Sequence, residues 1–205
     1  MKQMARRAVL LIILLAMFVV GLVIFSVVYA GNAASWTSYP ANRHIFNTDA
    51  HLSGAGTIYD RGGRALAQTV EGERVYHADA AIRMATLHAV GDLDGYIVTG
   101  LHSSYWDSLV GYNPVNGVFQ PSGRGNDIAL TLDGELCAAA LEALGSYSGT
   151  VGLYNYKTGE LLCMVSTPTY DVNQKPDIEG DESGRYTGTY VNRFLSSSFT
   201  PGSTF

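Results

Sequence analysis

Residues Ala8 to Ala30 run for 23 positions without a charge, and only Gly21, Ser26 and Tyr29 depart from Leu, Ile, Val, Phe, Met and Ala. At about 1.5 Å per helical residue this run crosses a hydrocarbon core of roughly 30 Å. Lys2, Arg6 and Arg7 precede it, and the next basic residue is Arg43. The positive-inside rule therefore keeps residues 1–7 in the cytoplasm as a short stub and sends everything after residue 30 outside. Val28-Tyr29-Ala30 offers small residues suited to a signal peptidase. Cleavable apolar cores run only about 7–15 residues, so a retained anchor over 8–30 is the expectation.

All 18 acidic residues follow the anchor, and 10 of the 13 basic ones do, so the outer part carries a net charge of −8. That balance excludes a nucleic-acid partner and a polybasic lipid-binding surface. Cys137 and Cys163 sit among apolar neighbours (Glu-Leu-Cys-Ala-Ala and Leu-Leu-Cys-Met-Val) and are expected as buried, unpaired thiols, with one disulfide as the alternative. His44, His51, His77, His88 and His102 have no i,i+4 pairing and no Cys partner, so no metal site and no cofactor are expected.

Residues 31–55 are rich in Ala, Asn, Ser, Thr and Gly around Pro40 and read as a tether. Two β-prone runs then flank Asp60-Arg61-Gly62-Gly63, a hairpin signal, with Asp60 and Arg61 expected as turn caps or a structural ion pair. Residues 56–130 are punctuated by glycines and read as an irregular, mostly β module. It holds a short helix over Ala80–His88 and one turn over Asp107–Val110, while Tyr96, Tyr105, Trp106, Tyr112 and Phe119 fill a small core. Apolar residues at 132, 136, 140, 141 and 144 predict a helix over Leu132–Leu144, capped by Thr131 and ended by Gly145. Thr150–Tyr156 and Glu160–Ser166 then predict two strands joined through Lys157-Thr158-Gly159. The chain turns polar after Pro168. It ends on Pro201-Gly202-Ser203-Thr204-Phe205, a loop signal leading into a helix start on which Ser203 is placed either to cap or to react.

The ordered set of motifs resembles the class B penicillin-binding proteins. It comprises Thr57-Ile58-Tyr59-Asp60-Arg61-Gly62-Gly63, Leu130-Thr131-Leu132-Asp133, the run Lys157 to Asp171, Asn192-Arg193 and Thr200-Pro201-Gly202-Ser203-Thr204-Phe205. These are single-pass, outward-facing D,D-transpeptidases of peptidoglycan synthesis. The resemblance implies an α+β chain with an N-terminal transmembrane helix and a β-rich pedestal or dimerisation module over 56–130. Residues 131–205 would be the incomplete start of a serine β-lactamase-like transpeptidase domain. It implies that Ser203 is the acylated nucleophile, that a lysine base follows Phe205, and that the whole protein is longer than these 205 residues. The implied partners are the membrane, D-Ala-D-Ala stem peptides, β-lactams, and a homodimer through the pedestal or other wall-synthesis proteins.

Lys157-Thr158-Gly159 spells a later motif of that family, but it precedes the serine and is expected to be turn chemistry only. No Ser-x-Asn triplet occurs. About 100 residues between anchor and helix leave no room for a glycosyltransferase domain. The monofunctional class is favoured, and the short module is most similar to type-A elongation or spore-related members. Two other readings stay open: a membrane-anchored β-lactam or muropeptide sensor or scaffold, and a hydrolytic β-lactamase.

Overall fold

With no charge, proline or turn signal to interrupt it, the N-terminal run continues as one helix, α1 (Lys2–Thr37, 36 residues). The computed structural model describes residues 2–37, 52, 54–113, 118–119 and 125–198. Within α1, Arg6–Asn32 is long and apolar enough to cross a membrane, with a mean hydropathy of 3.3 over an 18-residue window. Every side chain from Arg6 to Asn32 is exposed, so no protein core covers this surface. Its few polar groups bond back to the preceding turn: Ser26 Oγ donates to Leu22 O at 2.8 Å and Asn32 Nδ2 to Val28 O at 2.8 Å. The helix passes the expected end of the anchor and takes in the first residues of the expected tether, where alanines favour continuation.

Four short strands form the first sheet: β1 (Ile58–Tyr59), β2 (Ala65–Val70), β3 (Glu73–Tyr76) and β6 (Ile128–Ala129), in the order β3-β2-β1-β6. β1 and β2 are the antiparallel pair expected around the two-glycine turn, while β6 lies parallel to β1 with Ile58 opposite Ile128. Two further strands, β4 (Tyr112–Asn113) and β5 (Val118–Phe119), pair with each other. The module is not mostly β. It also holds α2 (Ala80–Val90), α3 (Leu101–Ser104) and α4 (Trp106–Val110).

The reason α2 outgrows its expected length is its burial. Ile82, Arg83 and all residues from Ala85 to Val90 are buried, so no polar face marks its extent. Ile82 and Val90 join a core with Ile58, Leu66, Tyr76, Trp106 and Leu109. Ala85 and Ala89 join a second core with Leu132, Cys137, Cys163 and Val165, and Leu87 a third with Ile97 and Tyr170. Of the aromatics assigned to a small core, Trp106 is buried and Tyr105 is 55% exposed.

Helix α5 (Gly134–Leu144) starts two residues later than expected. Its cap is Asp133, whose Oδ1 accepts from Glu135 N and Leu136 N at 3.1 and 3.2 Å. Thr131 does not cap: its hydroxyl donates to Leu161 O at 2.7 Å, tying the lead-in to the following hairpin. Gly145 ends the helix as expected, in a positive-φ conformation. That hairpin is β7 (Gly149–Tyr154) and β8 (Leu161–Thr167), antiparallel with Val151 opposite Val165. Lys157-Thr158-Gly159 occupies its tip, where Asn155 Oδ1 accepts from Lys157 N at 3.0 Å and Gly159 takes φ +76°. Cys137 and Cys163 are fully buried free thiols between α5 and β8.

Arg83, the one charge inside α2, crosses to the segment after β8. Its guanidinium donates from Nε to Asp171 Oδ1 at 2.9 Å and from Nη2 to Oδ2 at 2.6 Å, and Nη1 reaches His77 O and Ala78 O. The two side chains are 9% and 15% exposed. The fork holds the Asp171 carboxyl below its ordinary range, through the hydrogen bond first and the charge second. A depressed carboxylate contributes stability that is present above its unfolded value of about 3.9 and is lost as pH falls through the lower folded value. Asp171→Asn is expected to cost about 2–4 kcal/mol near pH 7. That difference should shrink as acid protonates the wild-type residue, which denaturant titrations of both proteins from pH 6 down to pH 3 measure.

Candidate functional site

Ser203 and the rest of Pro201–Phe205 lie outside the described residues. What the structure describes is the mount that carries the chain toward them. Strand β8 delivers Ser166 and Thr167, a polar segment runs out to Asn192, and α6 (Arg193–Ser196) follows.

Asn192 starts α6 because its carboxamide can satisfy both sides of the turn. Its Oδ1 accepts from Phe194 N at 3.1 Å, and its Nδ2 donates toward His88 O at 3.5 Å and Met164 Sδ at 3.6 Å. The side chain is 1% exposed. Ser166 Oγ, on β8, donates to Val191 O at 3.2 Å and accepts from Arg193 N at 3.0 Å. The Arg193 guanidinium folds back onto Gly188 O and Thr187 O at 3.0 and 3.1 Å. Phe194 lies directly over Gly152 of β7, where an added Cβ would stand 2.0 Å from Phe194 Cε2.

His88 completes the mount from α2. It is fully buried, and its Nε2 lies 2.7 Å from Thr189 O, which can only accept, so Nε2 carries the proton. Burial first, and the Arg193 charge after it, hold its pKa down to about 4, so the ring is neutral at ordinary pH. The outer turn of the segment docks on the first module. Tyr190 stacks on Tyr96 with centroids 4.8 Å apart, Lys175 lies 5.0 Å over the Tyr96 ring, and Lys175 also pairs with Asp94. Asp92 beneath them accepts from Tyr96 N and Ile97 N. Burial raises its pKa.

Asp60 closes its own turn, and Arg61 N–H donates to Leu132 O at 2.9 Å. Asp60 is 2% exposed and accepts from Gly62 N and Arg64 N at 2.8 Å each and from Gly134 N at 3.3 Å. Its ion-pair partner is Arg64 at 3.3 Å, not Arg61, because the turn folds residue 64 back over the carboxylate. Beside it an open cleft of about 640 Å³ is lined by Tyr59, Arg61, Leu130, Thr131 and Glu160.

Among the described residues no group of three His, Cys, Asp or Glu could hold a metal ion. His77 accepts from Asp79 N, and His102 meets Arg74 and Tyr76, while His44 and His51 lie outside the described residues. Asn192-Arg193 and Asp171 stand out in sequence as motif residues. The parts played by Ser166, Arg83 and His88 do not, since each acts across 25 or more positions.

Residues 149–205 match the family model described as the penicillin binding protein transpeptidase domain. A protein of Neisseria gonorrhoeae named as a probable peptidoglycan D,D-transpeptidase, PenA, is 31% identical over 141 residues, covering 57% of this chain and 23% of that protein. PenA proteins of two Neisseria meningitidis strains match to the same extent. The chain thus spans about a quarter of the length of these curated relatives. Among solved structures, Pseudomonas aeruginosa PBP2 in complex with WCK 5153 is similar at 30% identity and a TM-score of 0.44, covering 58% of this chain and 28% of that one.

The contact between Phe194 and Gly152 gives a test of the mount. Gly152→Ala is expected to cost about 1–2 kcal/mol, because the new methyl displaces the ring. In a Phe194→Ala background the same change should cost close to nothing. Denaturation midpoints of the four proteins of this double-mutant cycle check the coupling.

Proposed function

We propose, on the premise that the chain belongs to the class B penicillin-binding proteins, that it carries the anchor, pedestal and first part of a D,D-transpeptidase whose nucleophile is Ser203. The observation that carries this reading is the match of residues 149–205 to the transpeptidase family, a span that includes Ser203. The mount of Asn192, Ser166 and Phe194 supports it, since these contacts hold the chain to the sheet about ten positions before the serine.

In the proposed reaction the Ser203 hydroxyl loses its proton to a base one helical turn on and attacks the carbonyl carbon between two terminal D-alanines. The backbone N–H of Ser203 donates to the oxyanion of the tetrahedral intermediate, and the last D-alanine leaves as its amine takes up a proton. The acyl group stays on Ser203 until an amine of a second stem peptide attacks it, forming the cross-link and freeing the hydroxyl. A β-lactam carbonyl would enter the same path and stop at the acyl-enzyme.

Residues 1–7 would lie in the cytoplasm and the acidic remainder outside, where peptidoglycan is. Residues 56–130 would act as a pedestal of the type-A kind. A homodimer through that module is part of the same proposal.

A fluorescent penicillin should label the full-length protein covalently and leave a Ser203→Ala variant unlabelled on a denaturing gel. Equal labelling of the two proteins rejects Ser203 as nucleophile. A label released within seconds as hydrolysed penicillin points to a β-lactamase instead. Stable labelling without any cross-linked stem-peptide dimer points to a sensor.

A further inference from the structure

The two cysteines belong to no part of the proposed reaction, yet the fold brings them together from positions 137 and 163. Cys137 lies on the face of α5 that packs on β8, and Cys163 projects from β8 into the same apolar cluster with Leu132, Met164 and Val165. Both are 0% exposed. The two thiols are neighbours in that cluster, one on the helix and one on the strand it packs against. Two bonds hold the seam just before them in both elements, Asp133 N to Leu162 O at 2.8 Å and Thr131 Oγ1 to Leu161 O at 2.7 Å.

We propose that Cys137 and Cys163 close into a disulfide that ties α5 to β8 when this domain folds in an oxidising compartment. The placement outside the cytoplasm rests on the reading given above; the geometry of the pair does not. In the packed pair the thiol–thiol interaction lowers the Cys137 pKa, and the same interaction first, then burial, raises that of Cys163. Before α5 docks neither shift is in place, so either thiolate can open the exchange.

The oxidant is an external disulfide, carried by a small thiol compound or a dithiol oxidoreductase. One of the two thiolates attacks one of its sulfurs, making a mixed disulfide and expelling one thiolate. The other cysteine, deprotonated, then attacks the protein sulfur of that mixed disulfide and expels the second thiolate. Two protein thiols are oxidised, one external disulfide is reduced to two thiols, and the two protons end on the expelled thiolates or in water. Because neither sulfur is exposed once α5 has docked, the exchange belongs to the folding chain, and the finished bond is shielded from later reduction.

Such a bond has a use that is local to this region. One helix on a two-stranded hairpin is a small unit with little core of its own, and a cross-link over 26 positions restrains its unfolded states. It would hold α5 against the hairpin while the rest of the domain assembles.

The test refolds the full-length protein in a mixture of oxidised and reduced glutathione, unfolds it in denaturant with excess alkylating reagent, and maps the peptides by mass. A Cys137–Cys163 cross-linked peptide pair is expected, with two alkyl adducts appearing only after prior reduction. Two adducts without reduction, glutathione adducts at either position, or linkage between copies would overturn the proposal. As a second measurement, the oxidised protein should melt several degrees above its reduced form, and a Cys137→Ala, Cys163→Ala variant should show no such difference. Labelling of Lys157 by a membrane-impermeant amine reagent on intact cells reads the compartment separately. Its failure would retire the exported placement and leave the refolding result standing.

Discussion

The buried carboxylate of Asp60 is the interaction on which the arrangement of the two halves depends. A carboxylate in an apolar setting is tolerated only when its oxygens are occupied by donors. Here Oδ1 takes the two N–H groups of its own turn, and Oδ2 takes the Arg64 guanidinium and Gly134 N, at the start of α5. One side chain thus closes the β1–β2 turn and receives the first turn of a helix 74 positions later. The backbone repeats the join, with Leu130 N on Tyr59 O and Arg61 N on Leu132 O. Gly134 must be small for this: a Cβ there would come within 3.2 Å of Ile82 and 3.4 Å of Asp60.

Helix α2 then makes the join a shared core. A helix that contributes to three apolar clusters cannot move with one half and stay behind for the other. Residues 56–130 therefore serve as packing for residues 131–198. Arg83 extends the same logic with a charge. Its fork onto Asp171 spans 88 positions and is nearly dry, which gives the pair direction as well as attraction.

What was legible in the sequence follows from how local each signal is. The apolar run, the α5 stripe ended by Gly145, the two hairpin turns and the position of Lys157-Thr158-Gly159 within a turn are set by neighbours a few residues apart, and the structure bears them out. The α5 cap was misassigned because Thr131 and Asp133 are both good caps, and only the fold shows that Leu161 takes the Thr131 hydroxyl. The helix α2 was read two residues short, and the module before α5 was read as mostly β because α3 and α4 are only 4 and 5 residues long, too short to show a periodic stripe. The ordered motifs pointed to the family, but the mount of Ser166, His88 and Asn192 was not legible. A serine on a strand and a histidine in an apolar helix carry no local sign of partners 25 and 101 positions away.

The chemistry of that mount suits the task proposed for it. Apolar packing fixes how far a segment stands from its sheet but lets it slide, whereas hydrogen bonds fix its register along the chain. Val191, Asn192, Arg193 and Phe194 are each held by at least one directed bond, while the close contact of Phe194 on Gly152 sets the spacing from β7. Misplacement of a nucleophile by about 1 Å can cost roughly a hundredfold in rate. A serine nine positions beyond Phe194 inherits its starting point from these bonds. Their donors and acceptors come from both halves of the structure, His88 from α2 and Ser166 from β8. The alignment of the proposed nucleophile therefore depends on the shared core around α2, and through it on the join that Asp60 makes.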